Sequence, residues 1–335
     1  MYPNMDALRY VLAFSVIVAH FNELAGFHIP WPIPSYTAVG GFFTLSGYLI
    51  FGSYDRRPHL REFLIRRAKR ILPPYILIVL ICAFCLVAIS SFSPWEYFSS
   101  TQWWKYLMAN LCFLNFLEPT LPGVFEHNPI EAVNGSLWTM KIEWMLYLSV
   151  PLVVWICQHV RWNRSKLFIT IYLLSALYKF SLLYLYKQSG EEMYLILSRQ
   201  VFGQLCYFYA GAFIYFHIEQ FRKHSKVLLV IACIIFLFRD YIYGYEQLLE
   251  PAVISIFIIC ASMMGKWGKT LNRIDNVSYD MYLFHFPIIQ VFVWSGVTNK
   301  LGVELSLLGV TITTLLFALM SWHFVGKRFL NKKST

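Results

Sequence analysis

Residues 66–92 read RRAKRILPPYILIVLICAFCLVAISSF, four cations in five positions followed by twenty-two residues without a charge. As a helix rising 1.5 Å per residue, the uncharged run is about 33 Å long, enough to cross a hydrocarbon core of about 30 Å. Its basic end belongs on the cytoplasmic face, where Lys and Arg accumulate beside membrane spans. The same alternation of apolar run and charged break recurs along all 335 residues. The chain is 58% hydrophobic and only 14% charged. Soluble domains carry about 25% charged residues, so this composition cannot supply a water-facing surface.

Outward from that stretch, apolar runs fall near 7–24, 35–54, 71–92, 136–158, 166–187, 200–218, 226–240, 249–265, 278–296 and 303–325. The expected fold class is therefore all-α, a polytopic integral membrane helix bundle with about ten transmembrane helices. One domain is expected over 1–335. The first run lacks a basic leader and a small-x-small cleavage site, so it is read as a retained span.

The formal net charge of +10 invites a nucleic-acid reading, which the placement of the charges excludes. Arg56, Arg57, Arg61, Arg66, Arg67, Lys69 and Arg70 form one break. Further basic breaks hold Arg161, Arg164 and Lys166; Arg222, Lys223 and Lys226; Lys266, Lys269 and Arg273; and Lys327, Arg328, Lys332 and Lys333. The intervening breaks are acidic: Glu96, Glu118, Glu126 and Glu131; Glu191 and Glu192; Asp240, Glu246 and Glu250. With both termini cytoplasmic, every basic break lies inside and every acidic one outside. The partners implied are membrane lipids.

Residues 93–135 do not read as a plain loop. Trp95, Trp103 and Trp104 precede an apolar piece too short to span, which suits an interfacial or re-entrant helix on the outer side. The seven cysteines are scattered through apolar runs without metal-ligand spacing and read as packing residues; no metal is expected.

Ionisable residues inside spans are costly in lipid and mark function. Arg9 and His20 share the first span, eleven positions and about 16 Å apart on one helical stripe. Arg9 at the cytoplasmic mouth suits a phosphate-bearing ligand or a snorkelling anchor; His20, near the outer end, suits proton transfer or an interfacial polar contact. Arg66, Arg67 and Arg70 can fork around phosphate or simply anchor topology. Glu143 in the fourth span overlaps His20 in depth, so a His20–Glu143 hydrogen bond is expected, with a structural Glu143–Lys179 pair as the alternative. Ser46 and Gly47 allow close backbone approach in mid-membrane. His285, with Tyr279 and Tyr282 near it, lies in the ninth span.

Five segments together resemble the membrane acyltransferase 3 family. MDALRYVLAFSVIVAH (5–20) is similar to its Arg–His first-span signature, and GFFTLSGYLI (41–50) to its second-span motif, with Tyr48 where Phe is usual. RRAKRILPPY (66–75) resembles its cytoplasmic arginine motif on Arg67 and Arg70. GSLWTMKIEWMLYL (135–148) is similar to its Trp, Glu and Tyr pattern on Trp138, Glu143 and Tyr147, and VSYDMYLFHFPI (277–288) to its late Tyr-Leu-x-His-x-Pro segment on Tyr282 and His285. Lys141 and Asp280 stand where less charged residues are common.

The resemblance covers about residues 5–325. It implies a multi-pass enzyme of the bacterial inner membrane, an O-acetyltransferase with acetyl-CoA as cytoplasmic donor and an extracytoplasmic glycan as acceptor. Arg9, Arg66, Arg67, Arg70 and Ser46 are then expected to hold acyl-CoA, His20 and Glu143 to be catalytic, and Trp138, Tyr147, Tyr282 and His285 to line the cavity. Nothing after the tenth run is expected to form the soluble extracytoplasmic domain some members carry. The competing reading is a transporter or flippase of a lipid-linked glycan or small anion, using the same buried charges as binding sites.

Overall fold

The basic run and the apolar run of 66–92 lie on one continuous helix rather than on a loop and a span. A computed structural model describes residues 4–269 and 275–331, so Arg273, Lys332 and Lys333 of the basic breaks lie outside the described residues. In chain order the helices are α1 (Met5–Ala25), α2 (Ser35–Arg56), α3 (Leu60–Cys85), α4 (Pro94–Ser99), α5 (Thr101–Leu111), α6 (Trp138–His159), α7 (Arg164–Ser189) and α8 (Glu192–Ser198). Then come α9 (Val201–Phe216), α10 (Ile218–Leu237), α11 (Tyr245–Leu248), α12 (Glu250–Met263), α13 (Ser278–Trp294), α14 (Val297–Ser321) and α15 (Lys327–Asn331). Among the described residues there is no strand.

Each of the ten apolar runs coincides with a helix, and these helices differ in length. Five stretches are long and apolar enough to cross a membrane by length and composition: α1, α3 with its 3-10 extension, α6, α7 and Val297–Leu330. By contrast α9, α12 and α13 have 16, 14 and 17 residues, about 21–26 Å, short of a full hydrocarbon core. The chain is an all-α, polytopic integral membrane protein.

The charged starts of α3 and α10 lie inside the helices because long cationic side chains can reach out along the helix surface. Arg66 also pairs with Glu62 one turn earlier, at 3.2 Å. Gly302 has φ +74°, which breaks α14 at the position where the apolar run 303–325 begins.

Contacts divide the chain into two compact units. The first comprises Met1–Leu12, Tyr36–Leu60 and Ile142–Ile274; the second comprises Ala13–Ser35, Arg61–Lys141 and Asp275–Thr335. In the first unit α7 packs on α9, α9 on α12, and α12 on α10. There α2 crosses α9 backbone to backbone. A Cβ on Gly47 would lie 1.9 Å from the Phe208 carbonyl oxygen, and one on Gly211 would lie 2.1 Å from that of Thr44. The close approach expected at Ser46–Gly47 is met by Gly47, with a small residue on each helix.

In the second unit α13 packs on α14. The stretch 93–135 begins with two short helices, as expected in kind. Ser93 caps α4 in a reciprocal capping box with Glu96, and Ser100 caps α5. Trp95 is 82% exposed. Beyond α5 the backbone is irregular and held by side chains: the Tyr75 hydroxyl donates to the Asn110 carbonyl at 2.6 Å, and Ser90 Oγ to that of Pro122 at 2.7 Å. Non-helical backbone near lipid needs such partners, because no bilayer water can serve it.

Candidate active site

The second unit gathers His20, His285 and the irregular segment 128–137 around α13. The local cause is Pro287. It lacks an N–H, so the Leu283 carbonyl four residues earlier loses its helical donor. Asn134 Nδ2 supplies the missing bond at 2.9 Å. One turn further along α13, fully buried Gln290 donates to the carbonyls of Ile130 (2.6 Å) and Ala132 (2.7 Å) and accepts from Asn128 Nδ2 (2.7 Å). The loop is thereby stitched to the helix at two levels.

At this stitched face His20 Nδ1 lies 2.8 Å from His285 Nε2, and His285 Nδ1 lies 2.7 Å from the Tyr282 carbonyl oxygen. His285 is fully buried, whereas His20 is half-buried. The Phe286 ring meets the His20 ring edge-on at 5.2 Å. Gly135 lets the loop lie against Phe286; a Cβ there would come within 2.7 Å of the ring. The Tyr282 hydroxyl is buried, donating to the Ser136 carbonyl (3.2 Å) and accepting from Thr139 Oγ1 (2.9 Å). Tyr282 was expected to line a cavity; in the structure it braces the loop.

Within the second unit the hydrogen-bond partner of His20 is His285. Glu143 belongs to the first unit, where it accepts a hydrogen bond from the Tyr147 hydroxyl one turn along α6. Carboxylate and phenol at i and i+4 face each other naturally. The alternative Glu143–Lys179 pair gives way to another arrangement in that unit. Lys179 Nζ sits 5.0 Å above the Tyr207 ring, and the Tyr207 and Thr37 hydroxyls donate to buried Glu250 at 3.4 and 2.7 Å. Arg9 lies on α1 with Asp6 at 3.3 Å, Ser46 is half-buried on α2, and Trp138 opens α6.

The three arginines of α3 have different surroundings. Arg66 faces Glu62 at the surface, and Arg67 stands 5.8 Å from the Phe63 ring centroid. Arg70 is held more firmly: Nη2 donates to the Asn276 carbonyl at 3.1 Å, and its guanidinium lies 4.7 Å from the Trp322 ring and 5.9 Å from that of Tyr279. Trp322 begins a π-helical turn, Trp322–Gly326, a distortion frequent at functional sites. A planar cation stacked this way keeps its remaining N–H groups in a fixed fork.

Asn134, Gln290, Phe286 and Trp322 were missed by a reading of the sequence that looked for ionisable groups. Gln290 was visible as an amide in the middle of an apolar run, a placement that demands partners just as a charge does. Among the described residues, no three His, Cys, Asp or Glu side chains gather as metal ligands would.

Comparison with known proteins agrees with the span of these features. The O-acetyl transferase of Shigella phage Sf6 is 26% identical over 98% of this chain and 96% of its own length. The O-acetyltransferase OatA of Staphylococcus aureus is also 26% identical, over 96% of this chain and 56% of its own, so the chain spans about half of that relative. No solved structure matches significantly. Residues 2–324 match the acyltransferase domain family (acyltransferase 3), and the chain belongs to that family.

Proposed function

We propose that the protein is an integral membrane O-acetyltransferase of the bacterial inner membrane. It moves an acetyl group from cytoplasmic acetyl-CoA to a hydroxyl of an extracytoplasmic sugar. The observation that carries the reading is the His20–His285 pair, a half-buried imidazole hydrogen-bonded to a fully buried one. The names of the two relatives favour acetyl as the group transferred.

At the cytoplasmic end of α3, Arg66, Arg67 and Arg70 recognise the phosphates of the donor, with Arg70 as the pre-ordered member. His20 accepts the proton of the acceptor hydroxyl. The oxygen bonds to the acetyl carbonyl carbon, the carbon–sulfur bond breaks, and the thiolate leaves with a proton returned through His20. A positioned general base contributes about 10²–10⁴-fold.

The test is His20→Ala in purified protein reconstituted into liposomes, given acetyl-CoA and surface glycans. Wild type is expected to release free CoA with acetylation of the glycan, and the variant to fall by at least a hundredfold while still binding acetyl-CoA. Unimpaired turnover in the variant would remove His20 as the base. Glycan movement across the bilayer without CoA release would make the protein a transporter.

A further inference from the structure

A histidine base needs a ring nitrogen without a hydrogen, and the two nitrogens are not equivalent. Hydrogen-bond logic at this site decides which one is free. The Tyr282 carbonyl can only accept, so His285 Nδ1, 2.7 Å away, carries a hydrogen. His285 is fully buried, and among the described residues its hydrogen-bonding partners are backbone carbonyls and a second imidazole, none of which is a counter-charge for an imidazolium. Its Nε2 is therefore a lone pair. His20 Nδ1, 2.8 Å from that lone pair, must be the donor.

The ring geometry agrees. The centroids are 5.0 Å apart and the planes differ by 13°. With the short N···N distance, this sets the rings edge to edge in nearly one plane, so the N–H of His20 points along the in-plane lone pair of His285. Only Nε2 of His20 is left without a hydrogen. Among the described residues it makes no hydrogen bond.

Resting on the reading of His20 as the base, we infer that His285 is a positioning residue that fixes the tautomer and ring orientation of His20, leaving Nε2 as the proton-accepting nitrogen. The chain runs from the Tyr282 carbonyl to H–Nδ1 of His285, and from Nε2 of His285 to H–Nδ1 of His20. When Nε2 of His20 takes the hydroxyl proton, the Nδ1–H of the imidazolium keeps the same acceptor, so neither ring has to turn. The orienting group is a neutral imidazole in place of the carboxylate of a Ser-His-Asp triad. His285 is fully buried and hydrogen-bonded to His20, so its effect passes through His20.

The test reads the tautomer directly. In ¹⁵N-histidine-labelled protein in lipid, with the His20 signals assigned by their loss in His20→Ala, magic-angle-spinning NMR should show a protonated Nδ1 and an unprotonated Nε2 on His20. His285→Met should turn His20 into a mixture of tautomers and lower kcat at least thirtyfold with little change in KM for acetyl-CoA. His285→Gln offers a carbonyl oxygen near the position of Nε2, and should restore the wild-type tautomer and part of kcat. Glu143→Gln should leave the His20 tautomer as in wild type. The inference is overturned if wild-type His20 carries its proton on Nε2, if His285→Met leaves the tautomer unchanged, or if Glu143→Gln is the change that shifts it. The wild-type tautomer is read whether or not the His285 variants fold. Full turnover by His20→Ala would sink the base reading while leaving the tautomer result intact, so the two failures are distinct.

Discussion

Replacing Gln290 with Leu should release the loop stitched to α13, the helix that carries His285, by an amount the structure allows to be worked out. The amide makes three side-chain bonds shorter than 3 Å: two donated to the carbonyls of Ile130 and Ala132, one accepted from Asn128. Inside membrane proteins such bonds average about 0.6 kcal/mol each, because the unfolded reference also finds partners, so the three together are worth about 1.8 kcal/mol. At 1.4 kcal/mol per factor of ten, opening of the loop becomes about twentyfold easier. Leu fills nearly the same volume, so the loss is polar rather than a cavity. Hydrogen exchange followed by mass spectrometry should show amide protection in 125–137 falling by about that factor, with α7 and α9 unchanged. Gln290→Glu should be worse than Leu, since it turns two donors toward carbonyls into acceptors. Unchanged protection in both variants would refute the idea that Gln290 holds the loop.

Two further outcomes come from the helix contacts. Arg70→Lys keeps the charge but loses the planar fork and the stack on Trp322. It should raise KM for acetyl-CoA about tenfold or more, as expected for a lost charge-assisted contact of about 1.5–3 kcal/mol; wild-type kinetics in this variant would leave Arg70 as a topological anchor. Gly47→Ala would press a methyl group into the Phe208 carbonyl, backbone against backbone. It should lower stability by about 1–3 kcal/mol, read as a fall in the thermal unfolding midpoint in detergent, and an unchanged midpoint would show that the crossing can relax.

The fold was legible because a bilayer imposes a length and a composition on every span. Helix starts were less legible. At α3 and α10 the apolar run begins later than the helix, and the cations before it read as loop residues. Physically, Arg66 and its neighbours can stay helical while their heads reach water. Region 93–135 was legible in character, through its tryptophans, and not in conformation. Its fold depends on contacts such as Tyr75 with Asn110 and Gln290 with Ile130, which join residues 35 and 160 positions apart.

The site shows the same division. His20 and His285 stood out individually as titratable groups in apolar runs, but their pairing did not, because periodicity fixes depth along a helix and says little about which helix comes beside it. Depth alone suggested Glu143 for His20. The features that select His285 lie in and around α13: Pro287 opens the ladder, Asn134 and Ser136 draw the loop against the exposed carbonyls, and Phe286 packs on the His20 ring. The proline was visible in the sequence, and its missing N–H is a local fact that could have been used. A carbonyl stripped of its donor inside a membrane must find another one. At α13 that donor is Asn134, 149 positions away from Leu283, so the proline announces the need for a partner and not the loop that meets it.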